Sequence, residues 1–241
     1  MIEGSSAFVT QNRRFISTTN KGLFQSADAL SKSPNDEDNA TSSIRFLGKG
    51  SNAIVRPGVI LVAPKHEYDH FLMKSAVFIF AIGLNDYDES VVRGVIVDHP
   101  TAFTMGEMSS GAVYGSLAHN ILFRGGDSGN DSAMLLHCRG GDIISSGNGE
   151  IGDSGIYEGG MQESMDTVDD DKEGVTVDDF KFFFNYMEFT EKELENMLLE
   201  EDSEGDAWIS MEVSPEVILN SDYNRGSAWS YLRNQAKRRQ L

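Results

Sequence analysis

The sequence is built largely from short runs of apolar, β-branched and aromatic residues, each interrupted by proline, glycine or aspartate within a few residues. Runs of this length predict buried strands, because helices need about ten residues or more to bury an apolar stripe. The runs are Val59–Ala63, Ala76–Ile82, Gly94–Val97, Ile121–Phe123, Ala133–Leu136, Gly155–Tyr157 and Phe180–Phe184. A chain of this kind is constrained to fold around a sheet.

Helix signals are few and come mostly in the last quarter of the chain. Capping patterns predict helices that begin after Thr104, Thr190 and Ser214, and apolar residues at helical spacing predict a last helix that carries Trp229 and Leu232. Strands and helices are therefore segregated along the chain, with no regular alternation between them. This arrangement predicts the α+β class.

The charge is strongly negative and unevenly distributed. The formal net charge is −18, and residues 150–222 hold 23 acidic residues but only three lysines. This composition argues against direct binding to nucleic acid, which needs clustered basic residues. One hypothesis is an acidic surface within residues 158–206 that docks basic partners, and the alternative is that the acidic run is a solvated surface loop. No apolar run approaches the roughly 18 residues of a membrane span.

The first 53 residues have the composition of a targeting peptide and a polar linker. The segment is rich in serine and threonine, contains arginine and has few acidic residues. Ser6–Val9 resembles a plastid-targeting cleavage motif, which favours a plastid (chloroplast) location, and Arg13–Thr18 resembles a mitochondrial processing site, which leaves the mitochondrion as the alternative. Residues 54–241 are then predicted to form one domain, with acidic insertions around 145–175.

Five short motifs follow one another between Pro57 and Arg233: Leu61–Pro64, Arg93–Pro100, Phe123–Asp127 with Leu136–His137, Phe184–Phe189, and Asp206–Trp208. In this order they resemble the YqgE/AlgH family of small bacterial proteins, which also occurs in plants and algae. The resemblance implies a compact domain around a mixed, mostly antiparallel, partly barrel-like sheet flanked by short helices. Bacterial members have been called regulators, and no reaction is established for the family.

The chain departs from the family pattern at several polar or special-backbone positions. Asp98 and His99 replace an Asn-Arg pair, Asp127 replaces a proline, and Asn185 and Phe189 replace a glycine and a tryptophan. A site that used those family residues would be altered or lost in this chain.

The glycine-rich turn that contains Gly125, Gly126 and Asp127 is a candidate anion-binding site, because backbone N–H groups can cradle a phosphate. It lacks the lysine of a P-loop, and Asp127 would repel an anion. The alternative is a turn whose glycines need a positive φ. His137, at a strand end, is a candidate base or hydrogen-bond donor beside this turn, with Asp98 as a second catalytic candidate. The alternative is that His137 is a structural histidine, hydrogen-bonded to the backbone.

His66, Glu67 and His70 spell the H-E-x-x-H pattern of zinc proteases, which requires a helix so that both histidines share one face. Pro64 and the neighbouring strand-like runs place these residues in a loop, which favours a chance match. No resident metal and no cofactor are expected. The sequence thus predicts a binding or regulatory protein with an unidentified protein partner. The alternative is a hydrolase or metal-dependent enzyme that uses His137, or His66, Glu67 and His70.

Overall fold

The computed structural model of the chain describes residues 44–109, 111–143, 149–170 and 174–239. The predicted targeting peptide and linker span residues 1–53, of which residues 1–43 lie outside the described residues. Parts of the acidic insertions around 145–175 lie outside them as well.

Ten strands form one sheet in the described part of the chain. They are β1 (Arg45–Lys49), β2 (Ile60–Val62), β3 (Ala76–Leu84), β4 (Ser90–Ile96), β5 (Pro100–Thr104), β6 (Ile121–Arg124), β7 (Ser128–His137), β8 (Tyr157–Glu158), β9 (Phe180–Thr190) and β10 (Ile209–Glu212). The strand order is β1-β10-β2-β3-β4-β9-β6-β5, and β7 pairs with β9 and with β8. Every pairing between these strands is antiparallel except that of β6 with β9.

Short helices cover the sheet: α1 (Met105–Met108), α2 (Gly140–Ile143), α3 (Met161–Asp169), α4 (Glu191–Leu199), α5 (Pro215–Leu219) and α6 (Ser227–Arg239). Single turns of 3₁₀ helix occur at Gly50–Asn52, Gly115–His119 and Val177–Asp179. The predicted capping boxes at Thr104 and Thr190 are present. The predicted α+β class is confirmed. None of the described helices is long and apolar enough to cross a bilayer.

The central strands are apolar throughout because helices bury both of their faces. Along β2 and β3, Ile60 and Phe78 point to one face, where they pack in a core with α5 and α6. Leu61 and Val77 point to the other face, where they pack with α4 and Trp208. Alternate residues of a strand face opposite sides of the sheet, so a strand buried on both sides reads as a continuous apolar run.

Strand β9 changes partners along its length. Its first half, up to Phe184, lies between β6 and β7, whereas Met187–Thr190 pair with β4. Asn185, at the junction, adopts a left-handed conformation with φ of 59°. The partly barrel-like closure that the resemblance implies is not observed, because the sheet is open: its path ends in β1 on one side and in β5 on the other.

Several elements differ from the expectations drawn from the sequence, among them β1 and α3. β1 precedes Ile54, the expected start of the ordered domain, because the few apolar residues of this segment form a strand only through long-range pairing with β10. α3 lies in the acidic insertion, where Met165 and Val168 are buried against a third core beneath β6, β7 and β9.

Candidate functional site

His137 is buried at the end of β7 and belongs to an aromatic stack. Its ring lies on Tyr157, with 5.8 Å between the ring centroids, and against Phe180 at 5.9 Å. Nδ1 accepts a hydrogen bond from the backbone N–H of Arg139 at 3.1 Å. Burial lowers the pKa of His137 to about 4, so the imidazole is neutral at pH 7 with its proton on Nε2. These contacts are those of a structural histidine.

Cys138, the only cysteine of the chain, is a poor nucleophile in this environment. Its thiol donates a hydrogen bond to Oδ1 of Asp179 at 3.4 Å. Burial, followed by the hydrogen bond and the charge of Asp179, raises the pKa of Cys138 to about 11. The group therefore stays a thiol at neutral pH.

The glycine-rich turn packs tightly against β9. A Cβ on Gly126 would lie 2.1 Å from the carbonyl carbon of Tyr186, and one on Gly125 would lie 2.3 Å from the carbonyl oxygen of Asn185. The two glycines are thus required for close approach of two backbones, whereas only Gly129 of this turn needs a positive φ. The N–H of Gly125 donates to Phe184 O at 2.8 Å and is not available to an anion.

The structure separates the residues that the sequence places in one site. The glycine turn precedes Ser128 at the start of β7, whereas His137 ends that strand. In the register with β9, Ser128 pairs with Tyr186 and His137 pairs with Phe180. Strand residues advance by about 3.3 Å each, so the histidine lies far from the turn.

The H-E-x-x-H residues lie in turns and extended loop instead of a helix. Nδ1 of His66 lies 3.0 Å from Oδ2 of Asp202, and the Glu67 carboxylate accepts a hydrogen bond from the Trp208 indole at 3.2 Å. His70 stacks edge-on against the ring of Phe71. Within the described ranges, no three His, Cys, Asp or Glu side chains converge as metal ligands would.

Asp98, the other catalytic candidate, is fully buried and caps α6. Its Oδ2 accepts a hydrogen bond from the backbone N–H of Trp229 at 3.2 Å, one of the donors that a helix leaves unpaired in its first turn. His99 beside it is also buried, and its pKa falls to about 4 because of burial and the nearby Arg225 and Arg124. The two departures from the family pattern at these positions are therefore interior residues.

Lys181 is a second buried charged residue, and it interacts electrostatically with Asp98. No motif in the sequence points to it. Its Nζ donates to three backbone carbonyls: Val97 O at 2.7 Å, Ile218 O at 3.1 Å and Asn220 O at 2.6 Å. The last two belong to the C-terminal end of α5, so the ammonium satisfies carbonyls that the helix leaves unpaired. Burial lowers the pKa of Lys181, while the charge of Asp98 opposes that change.

We expect Asp98→Asn to change the pH dependence of stability. Burial raises the pKa of Asp98 from 3.8 to about 6, so between those values the folded protein holds a proton that the unfolded chain has lost. The wild type should therefore lose stability relative to Asp98→Asn as the pH rises through this interval, by about 3 kcal/mol. Urea unfolding of both proteins across the interval measures this. If the wild type instead gained stability relative to Asp98→Asn as the pH rose through this interval, the raised pKa of Asp98 would be contradicted.

Arg233 joins three segments of the chain from the buried side of α6. Its guanidinium donates to Ala63 O at the end of β2, to Ala207 O before β10, and to Oδ1 of Asp206 at 3.0 Å. The Trp229 indole donates to the same Ala63 carbonyl at 2.8 Å. These contacts bring together the Leu61–Pro64 and Asp206–Trp208 motifs and the last helix.

Beside Arg233 lies an open groove of about 340 Å³, here called the α6 groove. Its lining includes Lys49, Lys65, Glu204, Asp206, Trp229 and Lys237. Lys65 pairs with Glu204 at 2.7 Å, and Lys49 pairs with Asp206 at 3.4 Å. Sequence reasoning missed this groove because its walls come from distant segments of the chain.

Comparison with known proteins bears on the fold. The AlgH-like family model matches residues 60–236. The solution structure of the AlgH protein from Pseudomonas aeruginosa is similar, with a TM-score of 0.50 and 15% identity over 76% of this chain and 88% of that one. The crystal structure of a protein from Corynebacterium diphtheriae gives a TM-score of 0.52 and 14% identity over 75% of this chain and 87% of that one. Among curated proteins, no sequence matches this chain significantly.

Proposed function

The chain belongs to the AlgH-like family, and on that premise we propose that it acts as a binding or regulatory protein without a catalytic centre. The observation that carries the proposal is that both catalytic candidates are buried and hydrogen-bonded to backbone groups. His137 is 2% exposed and neutral, with Nδ1 held by backbone, and Asp98 is 0% exposed and caps a helix. A general base needs access to the proton that it removes.

The enzymatic alternative is tested with chromogenic acetyl and phosphate esters, in the presence and absence of zinc. We expect no turnover above the uncatalysed rate from the full chain. Turnover that His137→Gln abolishes, with the circular dichroism spectrum unchanged, would support a hydrolase. For the His66–His70 pattern, the metal content of the purified protein is decisive. About one equivalent of zinc, lost in His66→Ala, would overturn the proposal.

The partner that we propose is a basic protein, bound at the acidic surface within residues 158–206. The solvent face of α4 supports this, since Glu191, Glu193 and Glu195 are exposed there beside a single basic residue, Lys192. Affinity isolation with the full chain, followed by binding measurements on the purified pair, tests the idea. Binding should weaken several-fold as salt rises from about 50 to 150 mM, because added ions screen exposed charges. Binding that does not depend on salt would contradict it.

We further propose that the leader directs the protein to a plastid, with the mitochondrion as the alternative destination. The support is the composition of residues 1–33, which is rich in hydroxyl side chains and poor in acids. Residues 1–50 fused to a fluorescent protein should accumulate in the organelle. A diffuse cytosolic signal would refute the proposal.

A further inference from the structure

The α6 groove combines uncommitted hydrogen-bond donors with an apolar floor. Ser230, Asn234 and Lys237 line it from α6. Their spacing of four and three residues places them on one face of the helix. None of the three has a side-chain hydrogen bond or ion pair to the described part of the chain. Ile209, Trp229 and Ala236 supply the apolar part of the lining.

The net charge of the residues that line the α6 groove is opposite in sign to the net charge of the chain. Four cations line it, Lys49, Lys65, Arg233 and Lys237, against the two carboxylates Glu204 and Asp206. Those carboxylates are already engaged by Lys65, Lys49 and Arg233. Lys237 keeps an uncompensated charge, on a chain with a formal net charge of −18. Asp202 also acts on Lys65 and Arg233, so the free positive charge of the groove is that of Lys237, which favours an anion at this place.

We propose that the α6 groove binds a small organic anion, with a phosphate or carboxylate group on Lys237 and on Lys49, which would exchange its 3.4 Å contact with Asp206 for the ligand, and an apolar body against Trp229. The volume of about 340 Å³ is at the lower end for ligand pockets and suits a small molecule. Lysine binds such groups as a mobile point charge, and the donors of Ser230 and Asn234 would complete the contacts. This inference supplies a ligand for the proposed binding role and rests on it.

Trp229 provides the readout, because the chain has only two tryptophans and the other, Trp208, is buried away from the groove against Glu67. Phenyl phosphate is the probe for the full chain, benzoate tests a carboxylate in its place, and phenol is the neutral control. We expect either anion to shift the indole N–H resonance of Trp229 in a ¹H–¹⁵N spectrum while that of Trp208 stays fixed. Trp229→Phe assigns the two resonances.

Variants of the half-buried Lys49 and the exposed Lys237 test the site without disturbing the core. Lys49→Gln and Lys237→Gln should each weaken phenyl phosphate binding about tenfold, the effect of one charge-assisted hydrogen bond. Arg238→Gln is the matched control, since Arg238 is exposed on the same helix but does not line the groove. It should leave the affinity unchanged.

Three results would overturn the inference: no shift of Trp229 with either anion up to about 10 mM, an equal shift with phenol, or an equal loss of affinity in Arg238→Gln. ³¹P spectra of the same samples separate this site from the proposed function. Phenyl phosphate that binds and stays intact supports both. Binding followed by release of inorganic phosphate would keep the site and overturn the non-enzymatic role.

Discussion

Replacing Lys181 by alanine is expected to lower the free energy of unfolding by about 3–5 kcal/mol. The side chain is 1% exposed, and its ammonium is the hydrogen-bond donor to Val97 O, Ile218 O and Asn220 O. Without it, three carbonyls lose their partner and the buried carboxylate of Asp98 loses the cation that attracts it. Burial lowers the pKa of Lys181 to about 7, so urea unfolding of the two proteins at pH 6, where the ammonium predominates, measures the loss.

Two further variants decide whether the ammonium itself carries this effect. Lys181→Met keeps most of the side-chain volume and removes the donor, so it should remain clearly destabilised. If it matched the wild type, apolar packing would be sufficient and the capping role would be wrong. Lys192→Ala, on the exposed face of α4, should change stability by no more than about 0.5 kcal/mol.

Replacing Arg233 by alanine is expected to cost a similar amount, about 3–5 kcal/mol, for a different reason. The guanidinium is 7% exposed and holds Ala63 O, Ala207 O and the Asp206 carboxylate at once. Its loss takes a donor from Ala207 O, leaves Ala63 O with the Trp229 indole as its remaining side-chain donor, and removes a cationic partner of Asp206. Chemical unfolding, with Arg238→Ala as the exposed control on the same helix, measures the effect.

Arg233→Lys distinguishes geometry from charge. A lysine preserves the positive charge but cannot reproduce a planar fork that reaches three acceptors in different directions. We therefore expect a loss of stability between those of the wild type and the alanine variant. A lysine variant as stable as the wild type would show that the charge alone is sufficient.

Local signals in the sequence account for much of the fold. The capping box of Thr190 and Glu193 defines the start of α4, since its hydrogen bonds involve neighbouring residues only. The apolar runs also predict β2 and β3 directly, because strands buried on both faces contain no polar positions. α3 could not be predicted from local signals, because its two buried apolar residues, Met165 and Val168, lie among acidic ones.

The polar residues of the interior could not be assigned a role from the sequence alone. Lys181 stands among four phenylalanines of β9, which marks it as unusual, but its acceptors come from Val97, just after β4, and from the end of α5. His137 and the glycine turn are neighbours in the resemblance, yet the antiparallel pairing of β7 with β9 holds them at opposite ends of one strand. Such relations depend on register, which distant contacts determine.

The position of β10 has a consequence for synthesis of the chain on the ribosome. β10 lies between β1 and β2 in the sheet. The first two strands therefore cannot complete their pairing until β10, the last strand of the chain to be translated, has been made. At about 5–20 residues per second, the interval between translation of Val62 and of Glu212 is roughly 8 to 30 seconds. During that time β2 has an uncovered edge, and nascent chains that end before residue 209 keep it. Such fragments should depend on chaperones and aggregate when released early.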